Sequence, residues 1–204
     1  MDGTLVDSRA HHWRSWREAL AAEGVVVTET QFAATFGQRN DRILESWLGE
    51  RATPERIRSI GDAKEDRYRR LVAAEGLSPL AGAAQWVRAL AASGWRQAVA
   101  SSAPRLNVEA VLRVIGLERE LAAIVSAEDV RHGKPDPEVF VAAAARLGVP
   151  AARCIVVEDA EHGIEAARRA GMRSVGLGGV AGDLTVRSLP DLPADAFDRL
   201  LESR

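Results

Sequence analysis

The stretch Cys154-Ile155-Val156-Val157-Glu158-Asp159 is an apolar run that ends on two adjacent carboxylates. A short run rich in β-branched residues and bounded by polar ones is typical of a buried β-strand. In parallel α/β sheets, ligands bind just beyond the carboxyl ends of such strands. The stretch therefore predicts one strand of a sheet and a candidate site at the end of that strand.

Three further apolar runs of similar length lie before and after this one, at Ala98–Ala100, Ala123–Val125 and Ser174–Leu177. Longer amphipathic stretches between them predict helices at Ala83–Ala92, Asn107–Val114, Pro137–Leu147 and Ile164–Ala170. Strands that alternate with helices need crossover connections, which give a parallel sheet. We therefore assign the chain to the α/β class, with a core formed by residues 1–9 and 80–204.

The part of the chain between these two core segments has a different pattern. Residues 10–79 are helical throughout, with apolar stripes that we list as Trp13, Trp16, Ala19 and Leu20, and as Ile43, Leu44, Trp47 and Leu48. The connections to the core are expected near Ser8–Arg9 and Leu77–Pro79, so the pattern predicts an inserted all-α domain at 10–79. The segment around Pro190 and Pro193 predicts a loop before a last short helix.

Composition excludes several classes of protein. The 204 residues include 47% hydrophobic ones, and 27 Lys and Arg face 29 Asp and Glu, for a formal net charge of −2. Such a chain is not a disordered one, and it lacks the basic surface of a nucleic-acid binder. No apolar run is long enough to span a bilayer, and the single Cys154 cannot form an internal disulfide. We expect a cytoplasmic protein, a monomer or a weak dimer, with no nucleic-acid or membrane partner.

Only Lys64 and Lys134 among the 27 basic residues are lysines. A chain that uses arginine almost everywhere has kept lysine at two positions where a compact ammonium could be required. Chance placement on a solvated face explains the same fact equally well.

Four polar segments follow apolar runs or stand at the start of the chain: Asp2-Gly3-Thr4-Leu5-Val6-Asp7-Ser8, Ser101-Ser102, Gly133-Lys134-Pro135-Asp136-Pro137 and Glu158-Asp159. Each has a purely structural explanation, as a turn, a helix N-cap or a helix start. Together they supply carboxylates for Mg²⁺, a hydroxyl and an ammonium for phosphate oxygens, and an acid that moves protons. This combination suits phosphoryl transfer.

These segments resemble, in order, the four motifs of the haloacid dehalogenase-like hydrolases. The fourth includes Gly163-Ile164 and Ala170-Gly171-Met172. Within that superfamily the chain is most similar to the β-phosphoglucomutase-like phosphatases. The resemblance covers essentially the whole chain and implies a Rossmann-like core, a helical cap at 10–79, a Mg²⁺ cofactor and an aspartyl-phosphate intermediate.

The first motif departs from the family pattern Asp-x-Asp-Gly-Thr. Asp2 matches the second Asp and Met1 the intervening residue, so the nucleophilic Asp and its apolar strand would stand before Met1. Either Met1 is an internal methionine of a longer protein, which we favour because the other catalytic positions are retained, or the chain is a catalytically dead relative. Without that strand, the 204-residue chain is expected to be unstable and inactive.

The resemblance also assigns roles to individual residues. Asp2 would be the general acid and base and would offer its backbone carbonyl to the metal. Ser101 would hydrogen-bond the phosphoryl group and Lys134 would neutralise its charge. Glu158 and Asp159 would hold Mg²⁺, Asp159 more directly.

Further residues would bind the substrate. They are Ser102 in the core and His12 and Lys64 in the cap, with Trp16 and Tyr68 as weaker candidates. His12 could equally be a partly buried helix residue. His11, His132 and His162 show no metal-ligand spacing, so we do not expect a zinc site.

The leading function is a Mg²⁺-dependent phosphatase of a small phosphorylated metabolite, such as a sugar phosphate. The alternatives are a β-phosphoglucomutase-type isomerase and a dead relative that only binds phosphate.

Overall fold

The computed structural model describes residues 1–202. Its helices are α1 (Arg9–Ala21), α2 (Glu29–Thr35), α3 (Asn40–Leu48), α4 (Pro54–Glu75), α5 (Ala83–Ala92), α6 (Arg105–Ile115), α7 (Glu138–Leu147), α8 (Glu161–Arg169) and α9 (Ala196–Glu202). Its strands are β1 (Ala98–Ala100), β2 (Ala123–Val125), β3 (Ile155–Glu158), β4 (Arg173–Gly176) and β5 (Leu184–Thr185). From β1 to β4, strands and helices alternate, which confirms the α/β class.

The strands form two parallel groups. β1 pairs with β2, with Val99 opposite Ile124, and β3 pairs with β4, with Val156 opposite Ser174. β5 extends the second group beyond β4. Short strands joined by helical crossovers give this arrangement because neighbouring strands then point the same way.

A cavity of about 660 Å³ lies between β1 and β3 and is lined by residues of both strands. No pairing joins these two strands in the part of the chain that the structure describes. One edge of each strand therefore faces the cavity rather than another strand.

The first residues connect the helical insertion to the core. Val6 forms an antiparallel bridge with Pro79, and the Leu80 N–H donates to the Leu5 carbonyl at 2.8 Å. The chain thus enters and leaves the insertion at the same place on the core. This geometry supports the predicted connections near Ser8–Arg9 and Leu77–Pro79.

Helices α1 to α4 have a hydrophobic core of their own. It includes Trp16, Leu20, Phe32 and Leu44, each no more than 2% exposed. The second half of α4 packs differently, because Tyr68 and Val72 are buried against the α/β core. The division of the chain at 10–79 stays a prediction, and the separate core of the insertion supports it.

Two expectations about the run at 154–159 need correction. Cys154 is only half-buried and precedes β3, because a 3₁₀ turn at Ala151–Arg153 ends on it. In β3, Val156 and Glu158 are buried, whereas Ile155 and Val157 are only partly so. The strand borders the cavity, which explains why it is less buried than an apolar run predicts.

Helix starts also differ from the periodic pattern. α8 begins at Glu161 rather than Ile164, and α6 begins at Arg105 rather than Asn107. α8 opens on Glu161 and α6 on Arg105, and these charged residues do not belong to the apolar period on which the prediction rests. The final short helix is confirmed as α9. No helix within residues 1–202 is both long and apolar enough to cross a membrane.

Candidate active site

The first five residues form a tight turn that brings Asp2 to the edge of the core. The Gly3 N–H donates to the Val6 carbonyl at 2.8 Å, and the Leu5 N–H donates to the Met1 carbonyl at 2.7 Å. Gly3 has a φ of +74°, and a side chain there would collide with the carboxylate of Asp159. A glycine is required both for the backbone conformation and for the space.

The carboxylate of Asp2 accepts hydrogen bonds from Ser8 and His12. The Ser8 hydroxyl makes a short bond to Oδ1, and His12 Nε2 lies 3.4 Å from the same oxygen. Burial alone would raise the pKa of Asp2, but the hydrogen bonds from His12 and Ser8 hold it below its usual range. The carboxylate of Asp2 is therefore ionised in this arrangement.

Lys64 determines which ring nitrogen of His12 carries the hydrogen atom. The ammonium of Lys64 lies 3.0 Å from Nδ1 of His12, and an ammonium can only donate. Nδ1 is thus the acceptor, and Nε2 carries the hydrogen that points at Asp2. Burial and the positive charge of Lys64 both lower the pKa of His12, which keeps the imidazole neutral.

Lys64 and His12 are both buried, with exposed fractions of 2% and 8%. The His12 ring stacks on Tyr68 with 4.0 Å between centroids, and the Lys64 ammonium lies 5.0 Å from the centre of the Trp16 ring. Of the weaker candidates, Trp16 lines the site cavity, whereas Tyr68 packs behind His12. His12 is buried and also borders the cavity, and its role in substrate binding stays a prediction.

Ser101 follows β1 directly and is 5% exposed. Its hydroxyl oxygen accepts a hydrogen bond from the Ala103 N–H at 3.1 Å. The N-cap of α6 is Pro104, so neither Ser101 nor Ser102 caps the helix. The hydroxyl hydrogen of Ser101 can still donate to a ligand.

Lys134 and Glu158 form a buried ion pair at the carboxyl ends of the strands. Lys134 Nζ lies 2.7 Å from Glu158 Oε2 and 3.4 Å from the Ala100 carbonyl oxygen, so one ammonium touches both groups of strands. The ammonium also lies 4.8 Å from the centre of the Phe140 ring. Burial would raise the pKa of Glu158, but Lys134 lowers it to about 2.

Asp159 provides a second carboxylate beside the first. Thr4 donates to its Oδ1 at 2.9 Å, and burial together with the charge of Glu158 raises its pKa. Ala160 rather than Asp159 is the N-cap of α8, so the N-cap alternative for Asp159 is wrong. The side chain turns towards Thr4 and Gly3 instead.

The donor set fits a hard divalent cation. Glu158 and Asp159 are adjacent and mostly buried, and Lys134 neutralises only one of the two charges. A cation that binds oxygen ligands would remove the repulsion that raises the pKa of Asp159. The backbone carbonyl of Asp2, in the turn beside Asp159, is a further oxygen donor.

The eight main candidate residues line one cavity of about 90 Å³ between the helical insertion and the core. They are Asp2, His12, Lys64, Ser101, Ser102, Lys134, Glu158 and Asp159. They come from the first turn, from α1 and α4, and from the ends of β1 and β3. The roles of the individual residues stay predictions.

Several residues around the cavity were not foreseen from the sequence. Glu65 accepts from Lys64 at 2.8 Å, from Asn40 at 2.6 Å and, through a short bond, from Asn107 of α6. His162 lines the cavity and lies against Gly37 of the insertion. The spacing of single residues along the chain carries no signal for such long-range pairs.

His132 lies outside this cavity. The structure brings it together with Asp136 and Glu138, with ligand atoms within 4.8 Å of one another. The sequence shows no metal-ligand spacing at His132, whereas the fold places two carboxylates beside it. Glu138 Oε2 already accepts the N–H groups of Arg131 and His132 at 2.9 Å each, so the carboxylate stabilises the loop before α7.

The fold and the converging carboxylates, hydroxyl and ammonium describe a class of phosphoryl-transfer proteins, and comparison with known proteins agrees. A family model for haloacid dehalogenase-like hydrolases matches residues 1–171. The chain therefore belongs to the haloacid dehalogenase-like hydrolase family, and the resemblance noted in the sequence is confirmed.

Individual relatives are also similar over most of this chain. It is 32% identical to the fructose-1-phosphate phosphatase YqaB of Escherichia coli, over 86% of this chain and 92% of that protein. It is 34% identical to the chloroplastic protein SUPPRESSOR OF QUENCHING 1 of Arabidopsis thaliana, over 86% of this chain, but spans only 17% of that protein. The structure of CbbY from Rhodobacter sphaeroides with phosphate has a TM-score of 0.87 and 28% identity, over 97% of this chain and 96% of that chain.

Proposed function

We propose that the protein is a Mg²⁺-dependent phosphatase that acts on a small phosphorylated metabolite such as a sugar phosphate. The observation that carries this proposal is the convergence of Ser101, Lys134 and the Glu158-Asp159 pair on one cavity beside Asp2. A phosphoryl group in that cavity would meet a hydroxyl donor, an ammonium and a cation site. Phosphoryl transfer is catalysed mainly by such positioning and charge neutralisation.

Lys134 is the central cation for the phosphoryl group. Its ammonium is held between the end of β1 and the end of β3, and its side chain is 8% exposed. A charge that is already held in place costs little reorganisation when phosphate oxygens arrive. Ser101, at the end of β1, directs its hydroxyl hydrogen to one of those oxygens.

Asp2 acts as the general base and the general acid of the reaction. In its ionised form, held by Ser8 and His12, it takes a proton from the attacking water. In its protonated form it gives that proton to the leaving oxygen of the next substrate. His12 donates to Asp2 through Nε2, so it keeps the carboxylate in place through both steps.

Mg²⁺ would be held by the carboxylates of Asp159 and Glu158 and by the backbone carbonyl of Asp2. When bound, it supplies positive charge that draws electrons from the phosphoryl oxygens. Asp159 is the stronger candidate for direct ligation, because Glu158 is already engaged by Lys134.

The nucleophile would be an Asp immediately before Met1, as the first motif of the family implies. One of its carboxylate oxygens bonds to phosphorus while the bond from phosphorus to the leaving oxygen breaks. Water then attacks the phosphoryl group, releasing inorganic phosphate and restoring the carboxylate. A protein without this Asp would bind phosphate without hydrolysing the ester.

The wall formed by the insertion supports a small polar substrate. Lys64, His12, Asn40 and Gln38 face the cavity from this side, together with the Phe36 ring. Ammonium, imidazole and amide groups recognise hydroxyl or further phosphate groups of a sugar phosphate. Composition further suggests cytoplasmic action as a monomer or weak dimer, with no nucleic-acid or membrane partner.

The test is phosphate release by a protein that carries Asp before Met1, preceded by an apolar strand. Fructose 1-phosphate, glucose 6-phosphate and β-glucose 1-phosphate are assayed with and without Mg²⁺. We expect Mg²⁺-dependent release, which disappears when the added Asp is replaced by Asn. Conversion of β-glucose 1-phosphate to glucose 6-phosphate with negligible release would identify a mutase instead. Phosphate binding without either reaction would identify a dead relative.

A further inference from the structure

His162 approaches the site cavity from the core, on the first turn of α8. A Cβ atom on Gly37 would lie 3.3 Å from the Cε1 atom and 3.5 Å from the Nε2 atom of this histidine. The imidazole therefore reaches from α8 to the loop between α2 and α3, at the boundary between the core and the insertion. Gly37 has a φ of +86°, so a residue without a side chain suits this contact in both conformation and space.

Both ring nitrogens of His162 are available to a ligand. Neither of them makes a hydrogen bond with any of residues 1–202, the part of the chain that the structure describes. The imidazole of His12 differs in this respect, because Lys64 holds one of its nitrogens and Asp2 the other. A histidine that faces a cavity with two unengaged nitrogens can both donate and accept a hydrogen bond.

The part of the substrate that His162 would meet follows from its position. Ser101, Lys134 and the carboxylates at 158–159 face the cavity from the ends of the strands, where the proposed function places the phosphoryl group and its cation. His162 stands three residues after Asp159, but its ring is turned to the insertion. It therefore borders the space beyond the phosphoryl group, where the leaving alcohol would lie.

Within the described residues, the insertion side of the cavity carries no unpaired charge. Lys64 and Glu65, the charged side chains there, form an ion pair of 2.8 Å. Burial and the charge of Lys64 lower the pKa of His12, which keeps that imidazole neutral. Gln38 and Asn40 contribute amide groups. This wall therefore offers hydrogen bonds rather than net charge.

Arg39 belongs to the same loop as Gly37 but does not present its charge to the cavity. Its Nη1 atom donates to the carbonyl oxygens of Ala127 and Val130, at 2.8 Å and 3.4 Å. A Cβ atom on Gly133 would lie 2.7 Å from Cδ of Arg39, so this side chain packs on the core loop between β2 and α7. The described part of the insertion thus provides no unpaired cation for a second phosphate group in the cavity.

We propose that His162 is a specificity-determining residue, which exchanges a hydrogen bond with a hydroxyl group of the substrate beyond the phosphoryl group. This inference rests on the proposed function and names its substrate class, the monophosphates of uncharged polyhydroxylated alcohols. A bisphosphate would bring a second phosphate group to a wall without an unpaired cation, and burying an unpaired charge is costly. An ester of an apolar alcohol would leave the imidazole without a partner.

Ligand binding tests this proposal without any hydrolysis. Calorimetric titrations with Mg²⁺ present are made on the protein that carries Asn before Met1, preceded by an apolar strand. The ligands are fructose 1-phosphate, glucose 6-phosphate, β-glucose 1-phosphate, fructose 1,6-bisphosphate, phenyl phosphate and inorganic phosphate. The variants are His162→Ala and His162→Gln, of which the second keeps hydrogen-bonding groups in its amide. His132→Ala is the matched control, because it removes an exposed imidazole outside the cavity.

We expect at least one of the sugar monophosphates to bind more tightly than phenyl phosphate. His162→Ala should weaken the binding of that sugar phosphate about fivefold to tenfold, the effect of losing one hydrogen bond. His162→Gln should restore part of the loss. Phenyl phosphate and inorganic phosphate should bind equally well to all forms, and the bisphosphate should bind no more tightly than fructose 1-phosphate. His132→Ala should leave every affinity unchanged.

Three outcomes would overturn the proposal. The first is that no sugar monophosphate binds more tightly than phenyl phosphate, or that His162→Ala leaves its affinity unchanged. The second is equal weakening of inorganic phosphate, which would place the imidazole at the phosphoryl group. The third is a bisphosphate that binds much more tightly than fructose 1-phosphate, which would show that a second phosphate group is recognised. Failure of phosphate release by the protein with Asp before Met1, together with the expected binding here, would reject the phosphatase and keep the assignment of His162.

Discussion

The carboxylate of Glu158 occupies the space in which a Cβ atom on Gly163 would stand. Glu158 ends β3, and Gly163 is the third residue of α8, so the strand and the helix approach each other closely at the site. The absence of a side chain at position 163 lets Glu158 reach Lys134.

Gly163→Ala should therefore destabilise the protein, although replacing glycine by alanine in a helix usually stabilises it. The added methyl group would push Glu158 from Lys134, at a cost of about 1–3 kcal/mol. Gly61→Ala in α4 is the matched control, because a Cβ there meets Asn40 Nδ2 at an ordinary 3.8 Å. That control should stabilise by up to about 1 kcal/mol. Urea unfolding checks both, and a stabilised Gly163→Ala variant would refute the steric argument.

Lys134→Arg should lower phosphatase turnover about a hundredfold in the protein that carries the nucleophile. The planar guanidinium is too large for a position between Glu158, the Ala100 carbonyl and the Phe140 ring. Arg146→Lys, on the surface of α7 and outside the site cavity, is the control in which an arginine is replaced by a lysine. Steady-state rates that differ little between Lys134→Arg and the native residue would show that any cation suffices.

Asp159→Asn should weaken Mg²⁺ binding severely, because burial and the charge of Glu158 raise the pKa of Asp159 and a bound cation would relieve that repulsion. Calorimetric titration with Mg²⁺ measures the effect. Asp62→Asn, on an exposed position of α4, changes the net charge equally and should leave the affinity unchanged. Unchanged affinity in Asp159→Asn would remove this residue from the metal site.

Asn107→Ala should loosen the contact between the helical insertion and the core. The Asn107 amide donates to Glu65 and accepts from Arg69 at 3.0 Å, and both partners belong to α4. Loss of two hydrogen bonds to charged groups should cost about 2–4 kcal/mol. Asn40→Ala removes one bond to Glu65 from within the insertion and should cost less. Equal stability losses in urea would show that Asn107 has no special role at this contact.

Acid should destabilise the protein through Glu65. Burial would raise the pKa of Glu65, but the charge of Lys64 and the hydrogen bonds from Lys64 and Asn40 hold it below its ordinary value of 4.5. As the pH falls below about 4.5, the unfolded chain binds a proton that the folded chain resists, so the free energy of unfolding decreases. Glu65→Gln should show a shallower decrease over the same range. Parallel pH profiles for the two proteins would contradict this assignment.

The strands were predictable from sequence because each is a short apolar run bounded by polar residues. Ala98–Ala100 and Ala123–Val125 match the structure residue for residue. β3 begins and ends one residue later than the predicted run, and β4 begins and ends one residue earlier. The residue at which a strand begins depends on its pairing with the adjacent strand, and the apolar run of one strand does not contain that information.

The core side of the site was predictable for the same reason. Residues at the carboxyl ends of parallel strands must meet, so the order of apolar runs and polar residues along the chain is enough to place Ser101, Lys134 and Glu158 together. Glu65 and Asn107 could not be paired, because 42 residues separate them and each has the pattern of an ordinary polar helix position. His162 was considered only as a metal ligand, whereas its place in the first turn of α8 brings it to the cavity.

The two lysines give the protein an unusual chemical property. Lys64 is 2% exposed and the Lys134 side chain 8%, and the sequence contains no other lysine, so an acylating reagent finds no exposed lysine to label. In most proteins such reagents label lysines at the surface, whereas the basic residues at the surface of this protein are arginines. The labelling rate of Lys64 and Lys134 would instead follow how often the helical insertion lifts away from the core, which makes these side chains built-in reporters of opening.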